Sequence, residues 1–155
     1  MANQAYVRQD KLKATAHVES VVSLVDLKNG QFVELGITDE TLGGEAVGIE
    51  KTAEGAKPEA IILTVHNDQG YHDYNILDQV TKPGKAARAV ILEKGDVLSF
   101  LTDIADGLVE GDQVAVAAGG LGVKKADGVD DVVIGKVIRL DYLANIGDLV
   151  VVRFK

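Results

Sequence analysis

From Leu12 onward the chain alternates. Leu12, Ala14, Ala16 and Val18 fall on one side of an extended segment, and Lys13, Thr15, His17 and Glu19 on the other. Successive side chains of a strand point to opposite faces, so the pattern predicts a half-buried strand. The more apolar run Val21-Val22-Ser23-Leu24-Val25 continues it. Asn29-Gly30 then stands between apolar runs, a hairpin signal, because both central residues of a type I′ turn take positive φ. Gly43 to Glu50 predicts a short strand, 51–59 a polar loop holding Gly55 and Pro58, and Ala60 to His66 another strand. Further strands are expected over Ala86–Leu92, Asp96–Leu101, Gln113–Ala118, Val132–Leu140 and Leu149–Phe154.

The Gly-Asp step recurs at Gly95-Asp96, Gly111-Asp112 and Gly147-Asp148, each followed by β-favouring residues. Gly accepts positive φ and Asp bonds nearby backbone N–H groups, so each pair can turn the chain. The run from Arg88 to Phe100, apolar on both sides of Gly95-Asp96, reads as a central hairpin. The pairs are unequally spaced, which argues against a repeat architecture. Asn67 to Gly84 is the least regular stretch, with one short helical turn expected within Tyr71–Val80 and another within Asp103–Leu108. Many short strands punctuated by Gly predict a mainly β fold, a compact β-sandwich or small β-barrel with short helical turns. Residues 1–11 read as an N-terminal arm, locally basic around Arg8 and Lys11. Residues 12–155 read as a single β-rich domain with an irregular insertion around 67–84.

Composition narrows this picture. A chain of 155 residues fits one domain and can bury a core without staples. There are 17 Gly and 2 Pro, which favours tight turns over disorder. The formal charge of −8 argues against nucleic-acid binding and against anionic membrane surfaces, both of which need clustered Lys and Arg. There is no Cys, so thiolate catalysis, disulfides and cysteine zinc sites are excluded. No signal-peptide pattern opens the sequence and no apolar run approaches the ~20 residues of a membrane span, so manufacture in the cytosol is expected.

Candidate chemistry is sparse. His66 and His72 lie near Asp68 and Asp73, but no ligand spacing specifies a metal site. Ser20, Ser23 and Ser99 have no nucleophile-elbow setting. Asp127, Asp130 and Asp131 cluster, and a solvated acidic turn is the commoner reading of such a cluster. Gly119-Gly120-Leu121-Gly122-Val123-Lys124-Lys125 matches neither phosphate-loop pattern. A lipoyl or biotinyl carrier lacks its motif, since the only Met is Met1. No catalytic, cofactor or metal residue is therefore assigned, and the chain reads as non-enzymatic.

The order of the motifs carries one resemblance. A short arm and alternating strand lead to Asn29-Gly30-Gln31-Phe32-Val33-Glu34-Leu35-Gly36. Pro83-Gly84-Lys85 then opens a run to Ser99, and Gly111-Asp112-Gln113-Val114, Ile134-Gly135-Lys136-Val137-Ile138 and Gly147-Asp148-Leu149-Val150 close the pattern. The whole resembles the small head proteins of tailed bacteriophages that decorate or cement the capsid. The resemblance implies a virion structural protein on the capsid exterior, made in the host cytoplasm. Its partner would be the major capsid protein lattice, on which it would self-associate as a trimer and brace the shell. No nucleic acid, membrane or cofactor is implied. If an arm adds to neighbouring subunits by strand pairing, Tyr6, Arg8, Lys11 and Lys13 are the candidate contacts, with Tyr71 and Tyr74 in the irregular loop. The alternative is a β-sandwich carbohydrate- or host-surface-binding module on the virion, for which Tyr71 and Tyr74 are the only clustered aromatics. A third is a small β-barrel enzyme using Asp127, Asp130 and Asp131.

Overall fold

The computed structural model describes residues 4–13, 17–38, 46–63, 77 and 80–155. The protein is mainly β. Its strands are β1 (Val7–Lys11), β2 (Val18–Val22), β3 (Leu27–Lys28), β4 (Phe32–Thr38), β5 (Val47–Lys51), β6 (Ala60–Ile62), β7 (Val80–Thr81), β8 (Ala87–Val90), β9 (Val97–Leu101), β10 (Gln113–Val116), β11 (Val123–Lys125), β12 (Gly135–Leu143) and β13 (Gly147–Phe154). Six strands form an antiparallel sheet in the order β1-β9-β13-β12-β10-β11. Five more close a barrel, β2-β5-β4-β6-β8, in which β2 and β5 run parallel. β3 and β7 make a small ribbon.

Alternation along three barrel strands explains how sheet and barrel join. Phe32, Ile61 and Val90 are cross-strand neighbours on β4, β6 and β8. They lie in the same buried cluster as Leu98, Phe100, Val150, Val152 and Phe154 of the six-stranded sheet. The intervening residues Val33, Ala60, Ile62, Ala87 and Ala89 fill a second cluster with Val21 and Leu27. Both faces of this wall are thus apolar, which is why Ala60-Ile61-Ile62-Leu63 reads as a continuous run instead of an alternation. The chain has 3 Phe residues, and all of them meet at the junction. Phe32, Phe100 and Phe154 have ring centroids 6.3 to 6.4 Å apart, within the range where aromatic pairs attract beyond their burial.

Several expectations change. In place of a free arm, residues 7–11 supply β1, hydrogen-bonded to β9, with Val7 packed on the core and Ala5 only 2% exposed. Asn29-Gly30 turns the chain, with Gln31 N–H donating to the Lys28 carbonyl at 3.2 Å, yet joins no hairpin. β3 pairs with β7, while β4 pairs with β5 and β6. Only Gly30 of the two has positive φ, so the turn is not type I′. The run from Arg88 to Phe100 is not a hairpin either. β8 belongs to the barrel and β9 to the six-stranded sheet, so Gly95-Asp96 is where the chain crosses from one to the other. Val18, assigned to the core-facing side, is exposed, and Ala14 to Ala16 lie outside the described residues. Within Asp103–Leu108 the helical structure is one 3-10 turn, Thr102–Ile104.

Candidate functional site

Of the predicted contacts, Arg8 and Lys11 lie on β1, on the face of the six-stranded sheet turned away from the core, with Tyr6 and Lys13 flanking the strand. Register builds this face. Arg8 opposes Ser99, Ser99 opposes Val151, and Val151 opposes Arg139. Their neighbours Leu98, Val150 and Val152 point into the core cluster, so alternation sends Arg8, Ser99, Val151 and Arg139 to the opposite face, where Ser99 and Val151 are nevertheless fully buried and Arg139 is exposed.

Arg8 organises the polar contacts. Its Nε donates to Asp10 Oδ1 at 2.6 Å, and one terminal nitrogen donates to Asp141 Oδ2 at 2.7 Å and to Ser99 Oγ at 3.2 Å. Ser99 Oγ donates in turn to Asp10 Oδ2. A β-bulge at Asp10 makes this possible, because the register shifts between Gln9 and Lys11 and re-aims the side chain. Hydrogen bonding to Asp141 first, opposed by burial and helped by Asp10, holds the Arg8 guanidinium above the usual arginine value. Asp141 is held below the usual carboxylate value, first by Arg8 and then by the Tyr142 backbone N–H. Arg8 and Asp141 are therefore both charged over the neutral range. The cluster ties β1 to β12 across β9 and β13.

The other predicted residues have separate fates. Tyr6 contributes its carbonyl, which accepts from Leu101 N–H at 3.0 Å. Lys11 is exposed and opposes Val97. Lys13 pairs with Glu93 at 2.8 Å, and its backbone N–H donates to Asp96 Oδ1. Tyr71 and Tyr74 lie outside the described residues, as do His66 and His72. Asp131 spends its carboxylate on Asp127 N–H and on Lys124, closing a turn. Asp127 and Asp130 are exposed beside it.

The Gly-Asp steps are structural in two related ways. Asp96 accepts from Glu93 N–H through its side chain and donates its own N–H to the Glu93 carbonyl, while Gly95 and Asp96 exchange backbone bonds with Phe154. Asp112 repeats this with Val109, and Gly111 and Asp112 exchange bonds with Val137. Each turn thereby clips onto a neighbouring strand of the sheet. Gly147-Asp148 alone closes a hairpin, β12 to β13.

Sequence reasoning missed Asp10, Ser99, Asp141, Lys136, Arg139 and Arg153 as members of one face. The polar positions inside apolar strands were visible, but the register that collects them from four strands was not. Gln31 was missed as well. It is buried, and its side-chain amide donates to the Gly119 carbonyl at 2.9 Å, fastening the start of β4 to the segment before β11.

No protein-family model matches the chain, and no curated protein matches it in sequence. Among solved structures it is similar to the crystal structure of the head fiber gp8.5 N base in bacteriophage phi29. The TM-score is 0.57 at 13% sequence identity, over 91% of this chain and 95% of that chain. At that identity the likeness is one of fold.

Proposed function

We propose that the protein is a non-enzymatic structural component of a tailed-phage virion that binds the outer surface of the assembled capsid and stabilises it. The observation that carries this reading is the likeness just described, which spans nearly the whole of both chains, the other being a head fiber base of a phage. The order of sequence motifs points the same way. A charged surface on a body of sheet and closed barrel suits a protein whose work is contact. In this reading copies associate as trimers on the capsid exterior, where closed rotational symmetry lets one surface patch serve every copy.

The test mixes purified protein with immature and with expanded capsids assembled from the major capsid protein encoded in the same genome. Electron microscopy is expected to show saturable, lattice-ordered density on the expanded shells. Bare shells of both kinds at high protein concentration would overturn the proposal.

A further inference from the structure

The outward face of the six-stranded sheet carries a charge distribution opposite to that of the molecule. One row across it runs Lys11, Val97, Arg153, Lys136 and Gln113, each the cross-strand partner of the next. The next row holds Arg8 and Arg139. Among the described residues the face thus has five of the chain's 16 Lys and Arg residues but, in Asp10 and Asp141, only two of its 24 Asp and Glu residues. At the far edge Lys124 is neutralised between Glu54 and Asp131. Asp10 and Asp141 are both engaged by Arg8. Among the described residues Lys11, Lys136 and Arg153 form no ion pair.

Lys136 and Arg153 are moreover placed directly opposite one another on β12 and β13. Like charges so placed destabilise a sheet, and an acid at either position would stabilise it. A molecule with a formal charge of −8 has many acids, yet none is used here. Such an arrangement becomes favourable once an anionic surface covers it, because complementary potentials steer docking and penalise wrong partners.

We infer that this face is the docking surface and that its partner is an acidic protein surface. The inference rests on the capsid reading above for the identity of that partner, which would be the acidic exterior of the shell. A β face with exposed, spaced cations around the buried Val97, Ser99 and Val151 fits a folded protein surface. A long polyanion such as nucleic acid would extend past the face onto the acidic remainder of the molecule, where it is repelled.

One substitution separates docking from folding. Lys136→Glu places an acid opposite Arg153, so it cancels both cations while giving the sheet an opposite-charge pair. Its melting temperature is expected to equal or exceed that of the native protein. Its affinity is expected to fall about tenfold or more, for poly-glutamate peptide and for expanded capsids alike. Lys85→Glu, which changes net charge equally in an exposed turn outside this sheet, is expected to bind like the native protein. Native binding should also weaken as salt rises from about 50 to about 300 mM. Undiminished binding of Lys136→Glu to either probe overturns the docking face, and so does an equal loss with Lys85→Glu. Tighter binding to duplex DNA than to poly-glutamate overturns the assignment of an acidic protein partner. Native protein that binds poly-glutamate through this face but leaves capsids bare overturns the capsid reading while the charged face stands.

Discussion

Thr52 shows how a single side chain can be out of register with its surroundings. It is 1% exposed, and among the described residues its hydroxyl is a buried polar group with no hydrogen-bond partner. Its backbone is well used, with N–H donating to the Phe32 carbonyl at 3.0 Å. A buried hydroxyl without a partner carries its desolvation cost uncompensated, and valine has nearly the same shape without that cost. Thr52→Val is therefore expected to raise stability by about 1 kcal/mol, read as a higher urea midpoint with an unchanged slope. At this scale the sequence was partly legible. Asp96 and Asp112 announced turns correctly, since Gly-Asp chemistry is local. That Asp96 also accepts from Lys13 N–H depends on a segment distant in sequence, which no local pattern encodes. Gly122 was equally opaque. A Cβ there would lie 1.9 Å from the Ile104 carbonyl oxygen, so the glycine is required by close backbone approach, not by the phosphate loop its neighbourhood superficially suggested.

Among the elements, β1 changes the experiment one would perform. As a free arm it could be deleted without harm to the fold. As an edge strand it covers β9, buries Ala5 and anchors Arg8 to Asp141. Removing residues 4–11 is expected to cost about 2 kcal/mol or more, from lost apolar burial alone, and to bare the edge of β9 for association with other chains. Thermal melting with size-exclusion chromatography would check this. A truncated protein that melts like the full chain and stays monodisperse would show β1 to be dispensable. Contact with a partner is thus better tested by substitution than by truncation. Strand positions were legible here because alternation and Gly punctuation are strong signals. Pairing was not, since β8 and β9 follow one another like the arms of a hairpin yet enter different sheets. The apolar runs on either side of Gly95-Asp96 are compatible with both outcomes, and the difference lies in distant partners, β2 and β6 for β8 and β1 and β13 for β9.

For the whole molecule, hydrogen bonds and ion pairs to aspartates link stability to pH. Asp112 is held below the usual carboxylate value first by the Val109 N–H and then by Lys125. Asp131 is held down first by the Asp127 N–H and then by Lys124, and Asp141 first by Arg8. Groups whose folded pKa is depressed contribute stability that is fully present above their unfolded value, near 3.9 for Asp, and lost as pH falls through the folded value. Urea midpoints are therefore expected to hold from neutral pH to about 5 and to decline steadily below about 4. A midpoint unchanged into that acid range would contradict these assignments. The order of strands in the large sheet has a further consequence, for the time course of folding. β9 (97–101) takes its partners from residues 7–11 on one side and 147–154 on the other. Neither contact is local, and pairings of such long sequence separation place a domain among the slow folders, in milliseconds to seconds. A growing chain would therefore hold β9 without β13 throughout the synthesis of everything between them, and the aromatic junction would close only after Phe154 had left the ribosome.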